Sequence, residues 1–425
     1  MGGTMTESQT IEEIENRRCE PGQVGMSGEM LDNIDGLAGQ HLIEKRYKGI
    51  VVLIARHGKI CYFKSFGDAD EGVPLRSDAI FRLASMTKAV TATAVMRLHD
   101  QGKVGLSEPV SEYIPDFKDS VVAELNPQGE IRLVPAKREI TIHHLLSLTS
   151  GLSGTYMAAE TDPLHQFVAK SYADAGVQDG LSPCNTTIEA NAGLAASLPL
   201  VGHPGEVWEY GNLNLDVLAH VVELLAGMPF DRYCGEYIFA PLGMNETWFY
   251  PPEEYFYRIP SIFNSPGSLE KMNDEELFGL ALFGPQYTFG YSTTYSSPYG
   301  GLHGTAADWF RFAQMLLNRG ELDGVRVLSR QAVELMTTNQ IGKHLVNTFT
   351  QNKWGYMVDI QKDVNAPMVY YGGKDVYSWR GFWGTEWFTY PCQDLLVIAF
   401  TQMGFDEALP CLWKLNTVAG AAVLD

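Results

Sequence analysis

Positive charge is scarce in this 425-residue chain, which has 31 Lys and Arg residues against 51 Asp and Glu residues and a formal net charge of −20. Nucleic acids and anionic membrane surfaces bind proteins through clustered basic side chains, and the sequence has no such cluster. It also lacks an apolar stretch long enough to cross a bilayer, and the acidic tail at 1–24 has no apolar signal segment. We therefore expect a cytoplasmic protein without a nucleic-acid or membrane partner.

Cysteines are few and scattered along the chain. Without a Cys-x-x-Cys pair, they indicate reduced thiols that are mostly packing residues, and neither a disulfide framework nor a zinc site. The one histidine pair, His143-His144, consists of neighbours that do not converge on one metal from a helix. The sequence thus predicts no metal and no other cofactor. The six cysteines are Cys19, Cys61, Cys184, Cys234, Cys392 and Cys411.

Several hydrolase signatures are missing as well. The chain has no Gly-x-Ser-x-Gly, His-Glu-x-x-His or Gly-x-x-x-x-Gly-Lys-Ser/Thr motif. The α/β-hydrolase, zinc-protease and phosphate-loop interpretations therefore lose their main support. The composition, with 45% hydrophobic and 19% charged residues, is otherwise that of an ordinary globular protein with a sizeable core.

An isolated lysine stands in the stretch SMTKAVTATAVM, which begins at Ser85 and contains no other charged residue than Lys88. An exposed helix face would carry several charges. Ser85 and Lys88 share a face when they lie on a helix, and uncharged surroundings favour the neutral amine that can take a hydroxyl proton. Ser85 is therefore a candidate nucleophile with Lys88 as its base, although Ser268-Leu-Glu-Lys271 shows that chance supplies the same spacing.

Two further motifs occur downstream. Tyr-Gly-Asn at 210–212 is the only Tyr-x-Asn in the chain; a tyrosine beside an ammonium can share in proton transfer, and an amide can bridge lysine and substrate. Trp-Arg-Gly at 379–381 lies on a predicted strand, where small residues let a substrate approach the backbone. Taken singly, the first motif is better explained as a packed tyrosine with a helix cap, and the second as an aromatic core strand.

Strand patterns occur near both ends of the chain, with helical patterns between them. Residues 49–70 predict a hairpin, and residues 357–403 predict several further strands. Residues 251–300 lack a clear period and indicate a long irregular loop. One sheet assembled from distant segments around a helical insertion is therefore expected. Helices are predicted at 85–101, 143–154, 214–227, 305–320 and 406–420.

The three motifs, Ser-Met-Thr-Lys at 85–88, Tyr-Gly-Asn at 210–212 and Trp-Arg-Gly at 379–381, follow one another in a definite order. This series resembles that of family VIII carboxylesterases, which are relatives of class C β-lactamases and penicillin-binding proteins. The connecting segments ITIHHLLSLTSGLSG, APLGMNETWF and GGLHGTAADWFRFAQMLLNRGEL are similar to the same superfamily. The resemblance covers about residues 27–420.

The resemblance implies a β-lactamase/transpeptidase-like α/β fold, in which an antiparallel sheet is flanked by helices. After an N-terminal tail at 1–24, residues 25–105 and 290–425 would form this α/β domain. Residues 106–289 would form a mostly helical domain with pocket-shaping loops. The site would lie in the cleft between the two domains.

The resemblance also implies roles for the motif residues. Ser85 would be the nucleophile, Lys88 and Tyr210 the base system, and Asn212 a positioning group. The backbone N–H groups of Ser85 and Phe382 would form an oxyanion hole.

The last motif departs from the pattern of lactamases and carboxypeptidases. Those enzymes carry Lys-Thr-Gly on this strand, where the cation and the hydroxyl hold the substrate's carboxylate. Here Trp379 replaces the lysine and Arg380 the threonine, before Gly381. The sequence alone does not decide whether Arg380 points into the site.

The implied activity is hydrolysis of short-chain carboxylic esters, small-molecule substrates, through an acyl-serine, with weak β-lactam cleavage as a side reaction. An acyltransferase of the simvastatin-synthase type and an amidase of the D-aminopeptidase or nylon-oligomer type use the same residue types and stay open. A non-catalytic binding protein on the same scaffold is a third alternative. The sequence does not show which of these activities the protein has, and it does not show the oligomeric state.

Overall fold

An eight-stranded antiparallel sheet is the centre of the structure, a computed structural model that describes residues 14–154, 162–177, 186–264, 267, 269–272, 295–361, 375–403 and 409–425. The strands are β1 (Gly49–Arg56), β2 (Lys59–Asp70), β3 (Val73–Pro74), β4 (Phe81–Arg82), β5 (Val121–Leu125), β6 (Ile131–Pro135), β7 (Thr247–Trp248), β8 (His303–Gly304), β9 (Glu321–Leu322), β10 (Val325–Arg326), β11 (Lys353–Trp354), β12 (Asp359–Gln361), β13 (Val376–Gly381), β14 (Thr385–Tyr390) and β15 (Leu395–Phe400). The α-helices are α1 (Gly28–Ile43), α2 (Thr87–Asp100), α3 (Ile142–Leu146), α4 (Pro163–Asp174), α5 (Ile188–Ala196), α6 (Leu213–Ala226), α7 (Phe230–Cys234), α8 (Ala240–Leu242), α9 (Ala306–Leu317), α10 (Arg330–Met336) and α11 (Leu409–Ala421).

The central sheet joins strands from the two ends of the chain in the order β11-β12-β13-β14-β15-β1-β2-β3. On one side β1 pairs with β2, which confirms the predicted hairpin. On its other side β1 pairs with β15, where Val51 lies opposite Phe400. The expectation of one sheet assembled from distant segments is therefore confirmed.

The two faces of β1 contribute to two different hydrophobic cores. The odd-numbered side chains from Val51 to Ala55 pack in a core that includes residues of α2 and α9, whereas the even-numbered ones from Ile50 to Ile54 pack in a core with residues of α1 and α11. Burial of each large apolar side chain contributes about 1.5–3 kcal/mol. Because both faces are covered, the run GIVVLIA before Arg56 is continuously apolar and does not alternate with polar residues.

Three of the predicted helices are confirmed with shifted boundaries, and one is wrong in extent. Those predicted at 85–101, 214–227 and 305–320 correspond to α2, α6 and α9. The short helix predicted within 143–154, with Gly151 as its end, stops already at Leu146, because Leu148 adopts a left-handed φ of 58° and turns the chain out of the helix. The last predicted helix corresponds to α11, although residues 404–408 are outside the described ones.

The segment between the two groups of strands contains α3 to α8 together with the hairpin β5–β6, which no sequence pattern predicted. Much of the irregular stretch expected at 251–300 lies outside the described residues. In the part of the chain that the structure describes, no single helix is long and apolar enough to span a membrane. The helix Leu213–Ala226 and the segment Phe230–Leu242 reach that length and apolarity only when taken together, and they are bent by 75°.

Candidate active site

Ser85 lies in a short 3₁₀ turn, Ala84–Met86, between β4 and α2. The residue before it, Ala84, is buried and has a left-handed φ of 46°, a conformation that costs a non-glycine residue about 1–2 kcal/mol. The turn redirects the chain from strand to helix within a few residues and leaves the serine half-buried. Backbone strain of this kind clusters at functional sites, which fits a nucleophile at this position.

Lys88 lies in the first turn of α2 and is 1% exposed. Its Nζ atom is 3.1 Å from Ser85 Oγ and donates a hydrogen bond to the carbonyl oxygen of Tyr299 at 3.0 Å. Burial holds the pKa of Lys88 well below its ordinary value, and the Asp216 carboxylate opposes this shift. The structure thus brings the two predicted residues into hydrogen-bond distance and favours the neutral form of the amine.

Tyr210 approaches the same amine from the loop that precedes α6. The Lys88 Nζ atom lies 4.9 Å from the centre of the Tyr210 ring and 5.5 Å from that of Tyr299, so two aromatic faces flank it. The phenol oxygen of Tyr210 accepts a hydrogen bond from Trp379 Nε1 at 3.2 Å. The Tyr-Gly-Asn and Trp-Arg-Gly motifs are therefore joined by this hydrogen bond, and the Ser-Met-Thr-Lys motif is joined to them by the contact of Lys88 with the Tyr210 ring.

Close backbone packing holds the loop that carries Tyr210. A Cβ atom on Gly211 would stand 2.3 Å from the carbonyl oxygen of Leu152, so this position requires glycine. Asn214 Nδ2 donates to the Gly211 carbonyl oxygen at 2.8 Å, and Asn214 Oδ1 accepts a hydrogen bond from Ser150 Oγ at 2.6 Å. The middle residue of the Tyr-Gly-Asn motif is therefore explained by packing.

Asn212 occupies the N-cap position of α6 and is buried. Its side chain makes no hydrogen bond to the first turn of that helix. Asn212 therefore stands at the cap position without a capping side-chain hydrogen bond, and its role as a positioning group stays a prediction.

The end of β13 lies directly beside the turn that carries the serine. A Cβ atom on Gly381 would stand 2.3 Å from the carbonyl oxygen of Leu83. Phe382, the next residue, is half-buried and packs edge-to-face on Trp383. The N–H groups of Ser85 and Phe382 thus belong to two adjacent segments, and their role as an oxyanion hole stays a prediction.

Aromatic rings surround the phenol of Tyr210. The Trp379 ring lies 5.5 Å from the Tyr210 ring and packs edge-to-face on Trp354 at 4.6 Å. Phe349 packs perpendicular to Tyr210, with ring centres 5.2 Å apart. The position where Lys-Thr-Gly enzymes carry a cation is therefore part of an uncharged aromatic wall.

Arg380 lies on the opposite face of β13 from Trp379, since side chains alternate along a strand. It pairs in register with Glu386, whose Oε1 accepts a hydrogen bond from Trp413 Nε1 of α11 at 3.4 Å. Burial raises the pKa of Asp359 to about 6, while three side-chain hydrogen bonds and the Arg380 guanidinium oppose that rise. The geometry therefore directs Arg380 away from Trp379 and the Tyr210 oxygen, a direction that the sequence alone left open.

The histidine pair has structural contacts. His144 Nδ1 accepts a hydrogen bond from the Thr141 N–H at 3.1 Å in a capping box of α3. His143 Nδ1 lies 2.8 Å from the hydroxyl of Tyr356. Across the described ranges, no group of three or more His, Cys, Asp or Glu residues could hold a metal ion.

The second Ser-x-x-Lys motif is only partly described. Ser268 lies outside the described residues. Lys271 forms an ion pair with Asp70, with 2.6 Å between Nζ and Oδ2. This lysine is about half exposed, unlike the buried Lys88.

Sequence reasoning missed three residues of the surroundings of Lys88. Tyr299 contacts the amine, while Tyr295 and Asp216 are joined to Tyr299 by hydrogen bonds. Asp216 carried the same signal as Lys88, because it is the one charged residue in the apolar stretch LNLDVLA. The two tyrosines lie in a stretch without a period, where no local pattern marks them. Only the tertiary structure brings them to Lys88.

Comparisons with known proteins cover most of the chain. The family model described as Beta-lactamase matches residues 34–412. Esterase EstB from Burkholderia gladioli is 30% identical over 383 residues, which is 88% of this chain and 90% of that protein. Monacolin J acid methylbutanoyltransferase from Aspergillus terreus is 31% identical over 212 residues, 47% of each chain.

A solved structure gives the same result for the fold. EstCE1, described as a hydrolase with promiscuous acyltransferase activity, matches with a TM-score of 0.76 and 26% sequence identity over 93% of this chain and 99% of its own. The expected β-lactamase/transpeptidase-like fold is therefore confirmed. Since the family model and the esterase relative both extend over most of its length, the chain belongs to the beta-lactamase family.

Proposed function

We propose that this chain is a serine esterase of the family VIII type, which hydrolyses short-chain carboxylic esters through an acyl-serine. The observation that carries this function is the 3.1 Å contact between Ser85 Oγ and the buried Lys88 Nζ. A serine hydroxyl is a weak nucleophile until a neighbouring base takes its proton, and the desolvated amine is suited to that task. Similarity to esterase EstB over most of both chains supports an ester substrate.

Acylation begins when the Ser85 hydroxyl proton moves to Lys88 Nζ and Oγ bonds to the ester carbonyl carbon. The ammonium that forms is flanked by the rings of Tyr210 and Tyr299, and such cation–π contacts contribute up to about 2 kcal/mol when desolvated. The carbonyl oxygen becomes negative and is stabilised by the N–H groups of Ser85 and Phe382. The tetrahedral intermediate then collapses and the bond to the leaving alcohol breaks.

Tyr210 passes a proton from the Lys88 ammonium to the departing alkoxide, which leaves as the alcohol and returns the amine to its neutral form. Water then attacks the acyl-serine, and its proton passes through Tyr210 to Lys88 Nζ. The bond between the acyl carbon and Ser85 Oγ breaks, the Lys88 ammonium returns the proton to Oγ, and the carboxylic acid leaves. The hydrogen bond from Trp379 Nε1 to the Tyr210 oxygen stabilises negative charge there. A phenol with such a donor is a better proton carrier, because its anionic form is less costly.

The aromatic wall at Trp379 favours uncharged substrates. Penicillins and D-Ala peptides carry a carboxylate that needs a fixed cation or hydroxyl partner, and an unmatched charge against apolar surface is costly. A simple ester presents no such group. Trp379 therefore selects esters over the substrates of Lys-Thr-Gly enzymes.

We expect kcat/KM for short-chain p-nitrophenyl esters to exceed that for any β-lactam by at least about 10², which is about 2.7 kcal/mol of transition-state stabilisation. The measurement compares p-nitrophenyl acetate and butyrate with nitrocefin and a D-Ala peptide. Hydrolysis of cephalosporins as efficient as that of the esters would contradict the esterase assignment.

Arg380→Ala is the control for this preference, measured on protein whose circular dichroism matches the wild type. Because Arg380 lies on the face of β13 away from Trp379, the variant should keep the ratio of ester to β-lactam turnover within about threefold. A selective loss of β-lactam cleavage would instead show that the guanidinium binds the carboxylate bidentately.

Acyl transfer is a second candidate function, because an alcohol can resolve the acyl-serine in place of water. The promiscuous acyltransferase activity described for EstCE1 and the similarity to the methylbutanoyltransferase favour it. Turnover of p-nitrophenyl butyrate in the presence of increasing butanol distinguishes the two. A hydrolase releases mainly butyric acid throughout, whereas an excess of butyl butyrate over acid identifies a transferase.

A further inference from the structure

A buried carboxylate interacts electrostatically with the candidate catalytic lysine. Asp216, in the first turn of α6, is 0% exposed. Its Oδ2 accepts a hydrogen bond from Asn191 Nδ2 of α5 at 2.8 Å, and its Oδ1 accepts one from the Tyr295 hydroxyl at 2.6 Å. A buried charge is costly unless hydrogen bonds satisfy it, and these two donors fix the carboxylate in one orientation.

A short segment connects this carboxylate to the amine. The hydroxyl of Tyr295 lies 3.2 Å from that of Tyr299, whose ring and carbonyl oxygen both contact Lys88 Nζ. The carbonyl oxygen of Pro298 accepts a hydrogen bond from Thr91 Oγ1 of α2 at 2.5 Å. The segment 295–299 is therefore held by Asp216 at one end and by the helix of Lys88 at the other.

We propose that Asp216 is a positioning residue of the esterase: its charge stabilises the ammonium that Lys88 becomes in acylation, and its hydrogen bond to Tyr295 holds the segment whose carbonyl orients the amine. This inference rests on the function proposed above. In the step concerned, the Ser85 O–H bond breaks, an N–H bond forms at Nζ, and the oxygen electron pair forms the bond to the carbonyl carbon. No other reactant is needed.

The charge matters most when the proton has moved. In the free enzyme, burial favours the neutral amine, which is the form that acts as a base. In the transition state a cation develops in the same apolar surroundings, and a fixed carboxylate then stabilises it more than it stabilises the neutral ground state. Such a difference between the two states increases the rate of acylation.

Few titratable groups face Lys88 in the part of the chain that the structure describes. Tyr210 faces it from the loop before α6 and Tyr299 from segment 295–299, while Asp216 is the charged group that alters its pKa. The Tyr295 hydroxyl donates to Asp216. A change of pH profile on removal of the Asp216 charge can therefore be attributed to Lys88.

Asp216→Asn tests the inference, because it removes the charge and keeps the shape of the side chain. Loss of a negative charge lowers the pKa of a nearby ammonium. The acidic limb of kcat/KM should therefore move to lower pH by about one unit, and kcat should fall by about tenfold because the weaker base is the poorer catalyst. The readouts are the pH profile for p-nitrophenyl acetate and the pH dependence of the rate of fluorophosphonate labelling.

Two further variants complete the test. Asp308→Asn replaces an equally buried carboxyl group, which accepts hydrogen bonds from the Glu246 N–H and Thr247 Oγ1 and whose pKa burial raises to about 7. This variant should leave the acidic limb in place. Tyr295→Phe breaks the hydrogen bond but keeps the Asp216 charge, so kcat should fall severalfold with a limb shift below about 0.3 units.

The inference is overturned if the acidic limb of kcat/KM does not move in a folded Asp216→Asn variant. It is also overturned if Asp308→Asn moves this limb by the same amount. If Asp216→Asn does not fold, Tyr295→Phe decides: a fall in kcat with an unmoved limb supports the inference, and unchanged kcat overturns it. The pH dependence of the rate of fluorophosphonate labelling measures the same protonation of Lys88 without an ester substrate. Absence of ester turnover in the wild type would therefore contradict the proposed function separately from the role of Asp216.

Discussion

Ser85→Ala is expected to lower ester turnover by about 10⁴-fold or more, because a covalent route without its nucleophile has no substitute. The hydroxyl oxygen of Ser85 lies 3.1 Å from Lys88 Nζ. The half-buried side chain loses a single oxygen, so the free energy of unfolding should change by less than about 1 kcal/mol. Steady-state rates with p-nitrophenyl butyrate and a thermal unfolding curve measure the two effects.

Ser268→Ala is the matched control, since it removes the serine of the other Ser-x-x-Lys motif. It should keep wild-type activity. Mass spectrometry after reaction with a slowly hydrolysed ester or a fluorophosphonate identifies the modified residue directly. An adduct on Ser268, or a wild-type enzyme with no adduct on Ser85, would overturn the assignment. The absence of any adduct would revive the non-catalytic binding protein.

Tyr210→Phe is expected to lower kcat by about 10²–10⁴, because general acid–base transfer through its oxygen contributes that much. The ring contacts with Trp379 and Phe349 remain in the variant, so folding stability should change little. Stopped-flow measurement of acylation and steady-state turnover separate a loss of proton transfer from a loss of substrate binding. Near-wild-type activity would mean that Tyr210 is structural and that Lys88 works without it.

Trp379→Phe provides the contrast for Tyr210→Phe. It removes the indole N–H that donates to the Tyr210 oxygen and keeps an aromatic ring in the wall. Loss of one hydrogen bond of about 1 kcal/mol corresponds to roughly a fivefold effect. A loss as large as that in Tyr210→Phe would indicate that Trp379 does more than support the phenol.

The candidate site residues could be predicted from the three motifs and their order, because each motif depends on local chemistry. An isolated lysine in an apolar helix and a glycine in a Tyr-Gly-Asn loop can be recognised one segment at a time. The hairpin at 49–70 and the helices α2, α6 and α9 were predictable for the same reason. Their periods and breaks lie within single stretches of chain.

Features that depend on tertiary contacts could not be predicted in this way. The direction of Arg380 depends on how β13 is placed in the sheet, and the carbonyl partner of Lys88 comes from Tyr299, more than two hundred residues away. Leu148 adopts a left-handed conformation, which cannot be predicted from the presence of a leucine. Asp216 was recognisable in principle, since an isolated charge in an apolar helix pointed to Lys88 as well.

The pairing of β1 with β15 has a consequence for synthesis on the ribosome. β1 and β2 can form their hairpin as soon as both have emerged, but the other edge of β1 stays open until residues 395–400 are made, about 15–65 seconds later at ordinary translation rates. During that interval an apolar strand presents unpaired N–H and C=O groups, the arrangement that promotes aggregation between nascent chains. Production of this enzyme therefore depends on how well the host shields that edge before the last strand arrives.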